Sequence, residues 1–210
     1  MARRELHDEY FNRAKAEGYL ARSAYKLKEI QQKKRLMRRG DRVLDLGCAP
    51  GAWLQVAAET VGPRGVVVGV DLQRVTARRP APARAIQGDV YQIDPAELLA
   101  MAGGRFDVLL SDMAPATSGA GDHFLSVRLC DRVLELAPAL LRPGGALAMK
   151  VFEGEQYPEL VRRTGAMFAQ CKGFKPAASR SVSREIYIVA SGFKAARAPE
   201  PADGSPEQPA

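Results

Sequence analysis

Residues 42–71 read RVLDLGCAPGAWLQVAAETVGPRGVVVGVD, and the order of textures in this stretch decides the fold. A short apolar run, RVLDL, meets a glycine turn. AWLQVAAETV then has helix composition and is closed by Gly62 and Pro63. GVVVGVD is apolar without alternation, as suits a strand buried on both faces. Strand, helix and strand in that order predict a parallel βαβ unit, and the alternation continues downstream. ARAIQGD reads as a strand, DPAELLAMAGG as a helix and FDVLLSDM as a strand. A long helix follows over 123–141, then the strand ALAMKVF, a helix over 156–170 and a last strand, EIYIVASGF. The expectation is an α/β protein with helices on both faces of a mostly parallel sheet.

Ahead of this pattern, LHDEYFNRAKAE (6–17) and SAYKLKEIQQKKR (23–35) read as two helices split at Gly18, with Ser23 placed to cap the second. Ala24, Leu27 and Ile30 give that helix an apolar face. The end of the chain, ARAPEPADGSPEQPA, has no apolar periodicity and reads as a disordered tail. The chain therefore divides into a helical, basic extension (1–40), an α/β domain (41–194) and a tail (195–210), with no internal repeat.

The 210 residues, 46% of them hydrophobic, suit one well-filled core. A net charge of +7 and a pI near 9.5 favour a polyanionic partner, nucleic acid first. Cys48, Cys130 and Cys171 are widely spaced and, with only His7 and His123 beside them, form no zinc pattern, so a reduced, metal-free, cytoplasmic protein is expected. MARRELHDEY lacks the apolar core of a secretory leader, and no apolar run approaches the roughly 20 residues of a membrane span.

In an open parallel sheet, ligands lie beyond the carboxyl ends of the strands, and the first βα turn is the usual cradle. Here that turn is DLGCAPGAW, Asp45 to Trp53. Gly47 and Gly51 let backbone approach a ligand closely and Pro50 stiffens the loop. The GxGxxG of a nicotinamide site is not met, because Ala49, Pro50 and Ala52 interrupt it. Asp71 closes the second strand, where a carboxylate accepts ribose hydroxyls, and Asp89 ends the third, placed to receive an adenine amine. A glycine loop with acids on the next two strand ends suits an adenosine ligand without phosphates, such as S-adenosylmethionine. The competing reading is that each aspartate only caps a turn.

A second puzzle is Lys150, inside the apolar strand ALAMKVF. A lysine there either snorkels to water or has a carboxylate partner or a chemical task. Asp112 follows the fourth strand, and Glu185 heads the last one. If that last strand runs antiparallel, Asp112, Lys150 and Glu185 converge at one edge, and Lys26 of the second helix is a fourth member.

The segments YKLKEI, DLGCAPGAWLQVA, GVDL, QGDV, SDMAP, GGALAMKVFEG and SREIYIVASG, in that order, closely resemble the FtsJ/RrmJ family of ribose 2′-O-methyltransferases over residues 9–194. The resemblance implies a Rossmann-like methyltransferase sheet of seven strands with the last antiparallel. It implies a Lys/Asp/Lys/Glu tetrad at Lys26, Asp112, Lys150 and Glu185, and donor positions at Gly51, Trp53, Asp71, Asp89 and Asp112. Cys48 and Ala52 stand where the family has alanine and glycine. Within the family, the compact length is most similar to the bacterial enzyme that modifies an A-loop uridine of large-subunit ribosomal RNA in assembled subunits. The expected products are 2′-O-methylated RNA and S-adenosylhomocysteine, and the expected state is a monomer. A sister enzyme acting on tRNA anticodon-loop riboses would share every tetrad residue. An idle RNA-binding assembly factor, a small-molecule O-methyltransferase and a dehydrogenase are further alternatives.

In this reading Lys150 is the general base. A lysine with the unperturbed pKa, roughly 10.4, is protonated at neutral pH, so it must be neutral to act. Burial and Lys26 favour the neutral form, while Asp112 and Glu185 oppose it. Lys26, Lys28, Lys33, Lys34, Arg35, Arg38, Arg39 and Arg42, interrupted only by Glu29 and Asp41, form a basic run expected to contact RNA phosphates, with a solvated helix face as the bland alternative. Tyr10, Phe11 and Tyr25 are candidates to stack bases, with helix packing the competing expectation for Phe11 and Tyr25. The loop APATSGAGDHF after Asp112 is suited to closing over a ligand or to simple connection.

Overall fold

The computed structural model describes residues 2–77, 80–115, 121–179 and 183–194, with side chains from residue 9 onward. The expected tail and the centre of the 114–124 loop lie outside the described residues. Helices α1 (Ala2–Glu17) and α2 (Ala24–Lys34) precede the sheet. Ser23 does not cap α2 with its side chain: its backbone is already helical (φ −61°, ψ −18°), and its carbonyl accepts the Trp53 indole N–H at 2.9 Å. The turn at Ala21 and Arg22 begins the coil earlier, through Ala24 N–H to Ala21 O and Tyr25 N–H to Arg22 O, so position 23 lacks the extended backbone an N-cap needs.

The quoted stretch folds as β1 (Arg42–Leu46), α3 (Ala52–Val61) and β2 (Val66–Asp71), with Leu44 opposite Val68 in a parallel ladder. The chain continues through β3 (Ala83–Gln87), α4 (Pro95–Ala102), β4 (Phe106–Ser111), α5 (Asp122–Leu140), β5 (Leu141–Phe152), α6 (Tyr157–Met167), β6 (Phe168–Phe174) and β7 (Glu185–Phe193). One sheet has the order β3-β2-β1-β4-β5-β7-β6, and β7 runs antiparallel to both of its neighbours. β6 is a strand that the sequence reading missed. FAQCKGF carries a lysine and a glycine and is mostly exposed, so its periodicity is weak, and pairing with β7 creates it. β5 also begins earlier than expected, because Leu141 rejoins Phe106 across an irregularity that absorbs the two glycines.

Period two along the strands divides the core. Val43, Val67, Val108 and Leu110 face α2 and α3, against Leu27, Ile30, Leu54 and Ala57. Leu44, Leu46, Val68, Val70 and Leu109 face the other side, against Leu98 of α4, Val133 of α5 and Leu160 of α6. Leu27 and Ile30 are fully buried, so α2 belongs to the same core as the sheet. Among the described residues no helix is long and apolar enough to cross a membrane.

Candidate active site

The β1–α3 loop requires its first glycine. Gly47 has φ +79°, and a Cβ there would come within 2.5 Å of Met113 Cγ and 3.0 Å of the Met113 backbone nitrogen. The loop is thus pressed against the segment that follows Asp112. Gly51, at φ +116°, starts α3, and Gln55 N–H is the first amide to bond back, to Gly51 O. The amides of residues 52–54 are left at the helix N-terminus, where they favour an anionic group.

Trp53 does not open onto this loop with its side chain. It is buried, its indole N–H is held by Ser23, and its ring stacks on Tyr187 at 5.7 Å. Any contact with a donor would come from its backbone. Asp71 Oδ2 accepts from Ala49 N–H and Oδ1 from Gln73 N–H, both at 2.8 Å, which ties the glycine loop to β2. Asp89 Oδ1 accepts from Tyr91 N–H at 2.9 Å in a local turn. Both aspartates therefore stabilise turns as well as standing at the strand ends.

Lys150 does not snorkel. Its side chain is 10% exposed, and Nζ lies 3.0 Å from Asp112 Oδ1 and donates to the Asp112 carbonyl at 2.5 Å. Lys26 Nζ lies 2.6 Å from Glu185 Oε1, a close ion pair. Burial opposes ionisation of Glu185, but Lys26, Ser179 and Lys150 outweigh it and hold the carboxyl below the ordinary glutamate range. The four side chains come from α2, the end of β4, β5 and the start of β7, and the reversed direction of β7 puts Glu185 opposite Phe152, two residues beyond Lys150.

Tyr187 is a member that the sequence reading overlooked. It pairs with Lys150 across the β5–β7 ladder and donates its O–H to Asp112 Oδ1 at 2.6 Å. Burial and Asp112 push its phenol well above the usual range, so it remains a donor. The signal was present in SREIYIV: two residues after Glu185, a strand returns to the same face.

The Glu185 pairing carries an acid limit. The folded-state carboxyl titrates below its ordinary value near 4.5. Its contribution to stability is therefore fully present above that value and is lost as pH falls through the lower folded value. Denaturant unfolding at a series of pH values from 3 to 7 should show wild type losing stability faster than Glu185→Gln on the acid side. Parallel curves would remove the coupling.

The basic run is drawn out rather than gathered. Lys28 is half-buried and engaged by its own chain, 3.1 Å from Tyr19 O–H, 3.4 Å from Glu17 and over the Tyr19 and Tyr25 rings. Lys33, Lys34 and Arg35 are exposed at the far end of α2, with Lys34 Nζ 5.4 Å above the Phe174 ring. Arg38 and Arg39 are exposed in the link to β1, and Arg42 begins that strand. Arg42 and the link before it lie at the amino edge of the sheet, about 16 Å of strand away from the carboxyl end of β1, whereas Phe174, under Lys34, is level with Tyr187 and Lys150 in the ladder. Tyr25 packs in a satellite cluster with Tyr10 and Tyr19, whereas Phe11 is 58% exposed and not in the core.

A seven-stranded sheet of this order with one reversed strand, a glycine loop after β1 and acids along the adjoining strand ends defines a Rossmann-like methyltransferase. Residues 19–193 match the FtsJ-like methyltransferase family, and the chain belongs to it. It is 47% identical over 186 residues to the ribosomal RNA large subunit methyltransferase E of Syntrophobacter fumaroxidans, covering 88% of this chain and 94% of that protein. A protein of the same name from Halorubrum lacusprofundi is 46% identical, covering 90% and 72% of the two chains. The crystal structure of a ribosomal RNA methyltransferase from Plasmodium falciparum superposes with a TM-score of 0.70 at 28% identity, covering 83% of this chain and 98% of that one.

Proposed function

We propose that this chain methylates a ribose 2′-hydroxyl of large-subunit ribosomal RNA, a uridine of the A loop, using S-adenosylmethionine and Lys150 as general base. The names and coverage of the relatives support ribosomal RNA as the substrate. The observation that carries the chemistry is the pairing of Lys150 with Asp112 beside Lys26 and Glu185, at the strand edge where the glycine loop ends.

The residues present suit the donor. Gly47 lets the loop pack against Met113, next to Asp112, the amides starting α3 suit its carboxylate, and Asp71, Asp89 and Asp112 suit its hydroxyls, amine and positive charge. When bound, S-adenosylmethionine supplies a methyl group on a positively charged sulfur. Lys150, when neutral, takes the proton of the 2′-hydroxyl through Nζ, within hydrogen-bond reach of the attacking oxygen. Asp112 orients that amine, and Tyr187 orients Asp112. Lys26 and Glu185 hold the ribose so that attacking oxygen, methyl and sulfur are in line. No group of three or more His, Cys, Asp or Glu among the described residues is arranged to hold a metal.

The test is transfer of labelled methyl to large subunits and, in parallel, to tRNA, both from cells lacking the protein, with the modified nucleotide mapped. Label in an A-loop uridine is the expected result. Label in tRNA anticodon loops, or none, would overturn the assignment.

RNA docks in this reading along the exposed end of α2 and the following link, through Lys33, Lys34, Arg35, Arg38 and Arg39, with the half-buried Lys28 engaged by Glu17 and Tyr19. Log affinity should fall linearly with log salt. Replacing Lys33 and Lys34 together by alanine should flatten that slope by about two while turnover at saturating RNA stays near wild type. An unchanged slope would remove this face from the docking surface.

A further inference from the structure

Asp45 is fully buried, and neither of its carboxyl oxygens has a hydrogen-bond partner. An unpartnered buried acid is costly and calls for an explanation. Asp45 lies opposite Gly69 of β2 and Leu110 of β4. Asp71 and Asp112 stand two residues further along those strands, so all three carboxyls share one face at the carboxyl edge. Gly47, in the donor loop, is two residues beyond Asp45 itself. Burial pushes the Asp45 carboxyl well above the usual carboxylate range, and Asp112 and Asp71 push it further in the same direction. Among the described residues no cation offsets them at Asp45: Lys150 is paired with Asp112 and Lys26 with Glu185, and the one charged residue of α3, Glu59, accepts from Tyr19.

We propose that Asp45 is a proton-exchanging counter-charge for the methyl donor, protonated in the free protein, ionised while the cationic donor is bound and reprotonated once the neutral thioether product forms. This rests on the donor reading above. On binding, the carboxyl O–H bond breaks, the electron pair stays on oxygen and the proton passes to solvent; after transfer, solvent returns one proton. The carboxylate then attracts the donor, which carries one more positive charge than the product. Its reprotonation withdraws that attraction when the product must leave.

The test is calorimetry of the wild-type chain with S-adenosylmethionine and with S-adenosylhomocysteine at pH 7, each in two buffers of different ionisation enthalpy. The donor should release up to about one proton and the product far less. Equal proton counts for the two ligands overturn the proposal without any variant. Asp45→Asn should lose the donor-specific release and shift the donor-to-product affinity ratio about tenfold toward product. Should that variant not fold, Lys150→Arg serves instead, since arginine keeps its proton. Release that persists there supports Asp45, and release that vanishes assigns the proton to Lys150. Binding of neither ligand would sink the donor reading itself, whereas binding of both with no proton exchanged would sink only Asp45.

Discussion

Lys150→Ala should lower methyl transfer by about 10²–10⁴-fold, the usual contribution of a positioned acid or base, while leaving donor affinity nearly unchanged. The amine sits within 3.0 Å of Asp112 and is almost enclosed, so the variant also leaves Asp112 without its cation and should lose some stability. Lys150→Arg separates the two effects. Arginine can keep the ion pair and the fold, but it does not give up its proton and cannot accept one from a hydroxyl. The expected pattern is an alanine variant that is inactive and somewhat less stable, and an arginine variant that is inactive yet stable. Single-turnover rates, donor binding and unfolding curves measured side by side would show it. An active arginine variant, or a loss of donor affinity matching the loss of rate, would make Lys150 structural.

The second large effect belongs to the glycine loop. Gly47→Ala places a methyl group 2.5 Å from Met113 Cγ and 3.0 Å from its backbone, at a φ of +79° that alanine adopts with strain. The backbone term costs about 1–2 kcal/mol. The clash is not fully relieved by moving the Met113 side chain, because the Met113 backbone would still lie 3.0 Å away. Either the loop lifts or the segment after Asp112 moves, and each widens the gap between the donor loop and the Lys150–Asp112 pair. Donor affinity should fall by at least about tenfold, with a lower melting temperature. A variant that binds donor as wild type does would show that the loop is not the cradle.

Much of the fold was legible because its signals are local. The βαβ texture of residues 42–71 needs only apolar runs and a Gly-Pro stop, and α4 announces itself through Asp94, whose side chain accepts Ala96 N–H at 2.8 Å ahead of Pro95. β6 was illegible because its reason for being a strand is β7, not its own residues. Ser23 does not cap α2 because the turn at Ala21 and Arg22 already gives it helical backbone, which no local sequence signal announces. The basic run looked like one patch because neighbours in sequence were read as neighbours in space, and the chain instead carries it from one edge of the sheet to the other.

By itself, the sequence determined the layered α/β architecture and the glycine loop, since composition and periodicity are written along the chain, and its motif order named Lys26, Asp112, Lys150 and Glu185 as candidates. Only the tertiary structure decided that Lys150 is paired rather than solvated, that Tyr187 braces Asp112, that Trp53 turns its ring inward and that Asp45 is buried without a partner. Those are facts of distance between strands and helices far apart in sequence, and burial and pairing at such distances are set by the packed sheet as a whole.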